Sequence, residues 1–214
     1  MKITVFSCLL LLLLAGCNPM NAVSGKTEQT DADGDPVYRK NPQPTQAYRI
    51  TMTIEDAPGP FAHVSGTAFY DMTNHVQCTP INEPLLGMST KQKEDVIPIH
   101  FQKIDETTYV GTIYADGMVD ADYYGKGVCR FELTGVGIAL KATGKHDETR
   151  FEPALFKKEI YSPEPKVTYF WKGRYPKVDM DDFPDSGRTS VDDFNETARH
   201  NIFKVTLSSH KESP

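Results

Sequence analysis

The sequence predicts an all-β protein: a single antiparallel β-sandwich or flattened barrel of about seven or eight strands, with one short helix near the C-terminus. Three observations carry this. Apolar residues recur with period two in short runs. Turn formers punctuate those runs, with 15 Gly and 15 Pro along 214 residues. Only one stretch carries a convincing helix start.

The cleanest strand comes first. Tyr48, Ile50, Met52 and Ile54 alternate with Arg49, Thr51, Thr53 and Glu55, so an extended chain here has one apolar and one wet face. Weaker strands follow at Val64 to Tyr70, at Val96 to Phe101 with Ile97, Ile99 and Phe101 inward, and at Tyr109 to Tyr114. Pro98 has no N–H to give a neighbour, which assigns the second of these to a sheet edge. From Val128 to Thr143 the pattern changes parity. Cys129, Phe131 and Leu133 mark one face, and Val136, Ile138 and Leu140 continue it after a one-residue slip at Gly135. A bulge there keeps both halves facing the core. Val167, Tyr169 and Trp171 predict one more strand, and Phe203, Val205 and Leu207 the last. Ser190 followed by Asp193 has capping-box spacing and opens a short helix through Phe194 and Ala198.

The N-terminus is organised differently. Lys2, an apolar run from Leu9 to Leu14 and the small residues Ala15 and Gly16 form a short secretory signal over residues 1–16. The run cannot span a hydrocarbon core, which takes roughly 20 apolar residues as a helix. Leu14-Ala15-Gly16-Cys17 resembles the lipobox of bacterial lipoproteins. That resemblance implies cleavage before Cys17, diacylglycerol on its thiol and acylation of the new amine. It thus implies a lipid anchor on a bacterial membrane with the rest in the periplasm. Asn18, rather than aspartate, favours the outer membrane.

Residues 17–46 are expected to be the lipidated end and a disordered tether, being polar and rich in Gly, Pro, Asp and Asn. Residues 47–214 form the folded domain. The Asp31, Asp33, Asp35 triplet is not a calcium loop, since Pro36 stands where glycine is needed and Pro42 where a bidentate glutamate is needed. With Cys8 removed by cleavage and Cys17 carrying lipid, Cys78 and Cys129 are left as a pair in an oxidising compartment. One structural disulfide follows, worth about 4 kcal/mol in chain entropy.

Several function classes are excluded by pattern. Net charge is −6 and the basic residues are scattered, so no cationic face exists to neutralise nucleic-acid phosphates. His63-Val64-Ser65-Gly66 lacks the first glycine of a nucleophile elbow. The six histidines show no HxH or HxxxH grouping, so neither a metal nor another cofactor is expected.

What remains suggests binding. The loop from Asp116 to Gly127 combines Asp116, Asp120 and Asp122 with Tyr123 and Tyr124 between glycines. Tyrosine gives large contact area at low entropy cost, the chemistry of binding loops. The same residues also suit a hairpin whose tyrosines fold back on the sheet. A second acidic run, Asp179, Asp181, Asp182, Asp185, Asp192, Asp193 and Glu196 against Arg188, reads as a solvated face. Tyr169-Phe170-Trp171-Lys172-Gly173-Arg174-Tyr175-Pro176, together with Ser65-Gly66, resembles the SG and Y-W-x-K-G elements of periplasmic lysozyme inhibitors. The resemblance implies that Ser65 and Lys172 enter a hydrolase cleft, and it adds Trp171 and Lys172 to the binding candidates. The expectation is a non-enzymatic immunity or inhibitor lipoprotein with a secreted hydrolase as partner. A structural or assembly lipoprotein of the envelope is the alternative.

Overall fold

The computed structural model describes Thr30 and residues 34–80 and 92–213. The signal, Cys17 and most of the N-terminal segment lie outside the described residues.

Among the described residues, eleven strands pack as two sheets, with no closed barrel. The strands are β1 (Ala47–Glu55), β2 (His63–Met72), β3 (Glu94–Ile99), β4 (Gln102–Lys103), β5 (Thr108–Tyr114), β6 (Phe131–Lys141), β7 (Arg150–Phe151), β8 (Ala154–Phe156), β9 (Lys166–Trp171), β10 (Pro184–Asp185) and β11 (Ile202–Lys211). One sheet runs β4-β5-β1-β11-β9 and the other β10-β7-β6-β2-β3, with β8 also on β6. Every pairing is antiparallel except β10 on β7. Four of the strands, β4, β7, β8 and β10, have two or three residues. They fall below the length at which alternation is readable, which is why the sequence yields fewer strands.

Alternation sets the faces. Ile50, Met52 and Ile54 of β1 are buried, as are Phe203, Val205 and Leu207 of β11. In the facing sheet Ala68, Tyr70 and Met72 meet Leu133, Val136, Ile138 and Leu140. An aromatic cluster ties the sheets together: Phe151 lies 5.5 Å from Phe170 and 5.2 Å from Phe203, ring centre to ring centre. The bulge predicted in β6 is present. Phe69 pairs with Gly135 and Tyr70 with Leu133, so Thr134 is the extra residue and Leu133 and Val136 both stay buried. β3 is an edge strand, with Pro98 opposite Thr67.

Three expectations are corrected. In β9 it is Thr168 and Phe170 that are buried, while Val167, Tyr169 and Trp171 alternate outward. Pairing with β11 decides this, because Phe170 sits opposite the inward Phe203 and directly opposed residues share a face. The C-terminal helix is broken in two. Ser190 accepts from the Asp192 amide and caps a 3-10 turn, Val191–Asp193, after which Asn195 accepts from the Ala198 amide and caps a separate turn of helix, Glu196–Arg199. Two more single-turn helices, His75–Cys78 and Lys157–Ile160, had no sequence signal.

The third correction concerns the tether. Residues 35–46 pack on the domain: Tyr38 is buried, ring centres 5.2 Å from Tyr123 and 5.1 Å from Phe131. Backbone bonds join Asn41 to Gly117 (2.8 Å) and Val119 to Arg39 (2.9 Å). The segment has one well-placed aromatic, and its partners lie more than 80 residues away in the chain, so local composition carries no trace of the contact.

Candidate functional site

The Asp116 to Gly127 loop was the leading binding candidate, and its geometry is that of a clamp on the chain itself. The predicted disulfide holds its far end. Cys78 and Cys129 are bonded with Cα atoms 5.3 Å apart, and both are buried. Cys129 in turn exchanges backbone bonds with Ala121 (2.8 and 3.2 Å). Tyr123 is buried, donates to the Val119 carbonyl at 2.7 Å and accepts from the Arg39 amide at 3.1 Å. The Tyr124 hydroxyl meets that of Tyr38 at 2.6 Å and donates to Asp35 at 3.1 Å. Burial, then the bond to Tyr38, pushes the Tyr124 phenol well above its ordinary range.

The carboxylates are used in the same way. Asp116 accepts from the amides of Thr45 (2.9 Å) and Gln46 (3.0 Å) and from the Thr45 hydroxyl (3.1 Å). Burial raises its pKa, but these bonds outweigh it and leave it below the usual carboxylate value. Asp120 accepts from the Phe131 amide and Asp122 from the Lys126 amide. The five residues therefore order residues 35–46 and the loop itself. Tyr123 is buried and Tyr124 half-buried, and both fold back onto residues 35–39.

Three carboxylates of the acidic run are paired with lysine or arginine among the described residues. Asp182 bridges Lys141 at 2.7 Å and also pairs with Arg150, and those cations, Lys141 first, hold it below the carboxylate range. Asp185 pairs with Arg174 at 2.9 Å and Asp192 with Arg199 at 3.4 Å. Among the described residues no three His, Cys, Asp or Glu side chains gather as a metal site would require.

Concave surface occurs beside the Asp116 to Gly127 loop, where Asp122, Tyr123 and Tyr124 line a cavity of about 760 Å³ with Asp35 and Lys93, and also on the outward face of the sheet that holds β2 and β6. A groove of about 620 Å³ runs over the face of β2 and β6 that looks away from the core. Its floor is small: Ser65 on β2, Gly137 and Ala139 on β6, and Ala154 on β8. Phe69 (37% exposed) and Phe156 (62% exposed) form its apolar walls, the Phe69 ring lying over Gly137. Lys166, over the Phe156 ring at 4.7 Å, and Arg188 supply positive charge, and Glu152 and Asp193 negative charge.

The wall that carries Arg188 is positioned by backbone. Tyr169 and Arg188 exchange N–H···O bonds at 2.7 and 2.8 Å, so residues 186–189 leave β10 in one sheet and join the edge of the other. Gly187 makes the approach possible. Its φ is +69°, and a Cβ would lie 2.5 Å from the Thr168 methyl and 2.7 Å from the Tyr169 carbonyl oxygen.

Ser65 thus lines the groove. Trp171 and Lys172 lie beyond the Arg188 wall, where Lys172 opens a 3-10 turn, Lys172–Arg174, and the Trp171 ring folds over Gly173. Lys172 does not line the groove, so the two elements shared with the lysozyme inhibitors do not converge on one surface. The groove itself was missed. Its signal was present in β6, where Gly137 and Ala139 alternate with Val136, Ile138 and Leu140 and leave one face without bulk.

No family model, curated protein or solved structure matches the chain.

Proposed function

We propose that the chain is a lipid-anchored periplasmic binding protein that neutralises a secreted, envelope-targeting hydrolase, and that the hydrolase docks on the β2–β6 groove. The observation that supports the docking surface is the preformed groove: small residues along its floor on paired strands, two exposed aromatic walls, and Lys166 and Arg188 with Glu152 and Asp193 at its margin. Binding sites are typically concave, largely apolar and equipped with a few placed polar groups. A surface already rigid before binding avoids much of the ordering cost of association. The anchor rests on the lipobox at Leu14 to Cys17 and brings the domain to the compartment that such a hydrolase must enter. No helix among the described residues is long and apolar enough to cross a membrane.

Two experiments test this. Labelled palmitate should be incorporated by the wild-type chain and not by Cys17→Ser. The chain, used as bait, should recover a secreted hydrolase encoded beside it as a one-to-one complex and suppress its activity. Recovery of envelope machinery without a hydrolase would instead identify an assembly lipoprotein.

A further inference from the structure

We propose that the small cavity beside Trp171 binds one neutral sugar ring; that this ring is an envelope N-acetylhexosamine rests on the periplasmic reading above. The cavity measures about 230 Å³ and is separated from the groove by the Arg188 wall. It lies below the roughly 300–1,000 Å³ of sites for drug-sized ligands, so a single ring is the size it admits.

The lining specifies the chemistry. Trp171 contributes an indole plate, whose own turn packs Gly173 against it. Around it stand Arg174, Asp185, Arg188, Asp193 and Asn195. Two arginines face two aspartates, so the lining is balanced and does not select an ion of either sign. It offers donors and acceptors together beside an aromatic face, which matches a ring with apolar C–H faces and hydroxyls at its rim.

Asp185 is the strongest sign of a ligand. It is 3% exposed, and its Oδ1 is held by Arg174 at 2.9 Å and by the Gly187 amide at 3.0 Å. Its Oδ2 is buried with no hydrogen-bond partner among the described residues. Buried carboxylate oxygens are ordinarily satisfied, and one that is not calls for a reason. The Arg188 guanidinium donates only to the neighbouring Gly187 carbonyl (3.0 Å) and has no carboxylate in ion-pair range among the described residues. Asn195 spends its Oδ1 on the Ala198 amide (2.8 Å), which leaves its Nδ2 as a donor.

Trp171 is the only tryptophan in the chain, so its emission reports on this cavity alone. The purified protein is titrated with N-acetylglucosamine and its tetramer, and with methylguanidinium and acetate as ionic controls. The expected result is a saturable emission change for the sugars with Kd on the order of 1 mM or tighter. Arg188→Ala and Asp193→Ala, both exposed side chains, should weaken it about tenfold without moving the melting temperature. Asp185→Asn should also weaken binding, with a loss of stability because it breaks the pair with Arg174, and if it does not fold the two surface variants decide. Unchanged emission with sugars overturns the proposal, as do unaltered affinity in both surface variants and a response confined to methylguanidinium. No hydrolase is present in this titration, so its failure leaves the inhibitor reading standing and its success does not depend on it.

Discussion

Glu148 shows how single residues hold the turn after β6. Its carboxylate is 5% exposed and accepts from the Thr143 amide (2.8 Å), the Thr143 hydroxyl (2.5 Å) and the Gly144 amide (2.9 Å). Burial raises its pKa, but those bonds outweigh it and set the folded value below the ordinary 4.5. As pH falls through 4.5 the unfolded chain therefore takes up a proton before the folded one does, and stability present above that pH is lost. Glu148→Gln should flatten this acid limb and, at neutral pH, cost about 1–3 kcal/mol by weakening bonds to buried donors. Urea titrations of both proteins across the acid range check it, and superimposable limbs would show that Glu148 is not the group responsible. In the core, Phe203 touches Phe61, Phe151 and Phe170 across both sheets. Phe203→Ala should cost about 3–5 kcal/mol, read from the same titration.

At the scale of elements, the loop and the segment before β1 stabilise one another. Tyr38→Ala should remove about 3 kcal/mol or more, and Tyr124→Phe, which loses only hydroxyl bonds, about 1 kcal/mol. Hydrogen exchange at the Asn41 and Val119 amides should accelerate in both variants while exchange in β1 and β11 does not. Equal acceleration everywhere would mean that the clamp unfolds only with the whole domain. Replacing Cys78 and Cys129 by serine frees a loop closed over 51 positions and should cost about 4 kcal/mol.

What the sequence shows of these elements follows from packing. β1 and β11 are legible because each has one apolar and one polar face, and the β6 bulge because the parity slip leaves apolar residues on both sides of Gly135. β9 is not, since Val167, Tyr169 and Trp171 on one face look as apolar as Thr168 and Phe170 on the other, and only the register with Phe203 selects between them. The disulfide was legible by elimination. The fate of Tyr123 and Tyr124 was not, because their partners Tyr38 and Asp35 belong to a stretch whose composition reads as tether.

On the scale of the whole molecule, the disulfide and the clamp order residues 35–46 against the Asp116 to Gly127 loop, and the groove lies on the outward face of β2 and β6, bounded by the crossing of residues 186–189 between sheets. Calorimetry with the hydrolase partner proposed above separates docking on the groove from docking on the acidic loop. Ala139→Trp fills the groove floor from the solvent side and should lower affinity at least about a hundredfold, some 2.7 kcal/mol, whereas Asp120→Asn and Asp122→Asn should bind as wild type once folding is confirmed. Wild-type affinity in Ala139→Trp, with loss in the loop variants, would contradict docking on the groove.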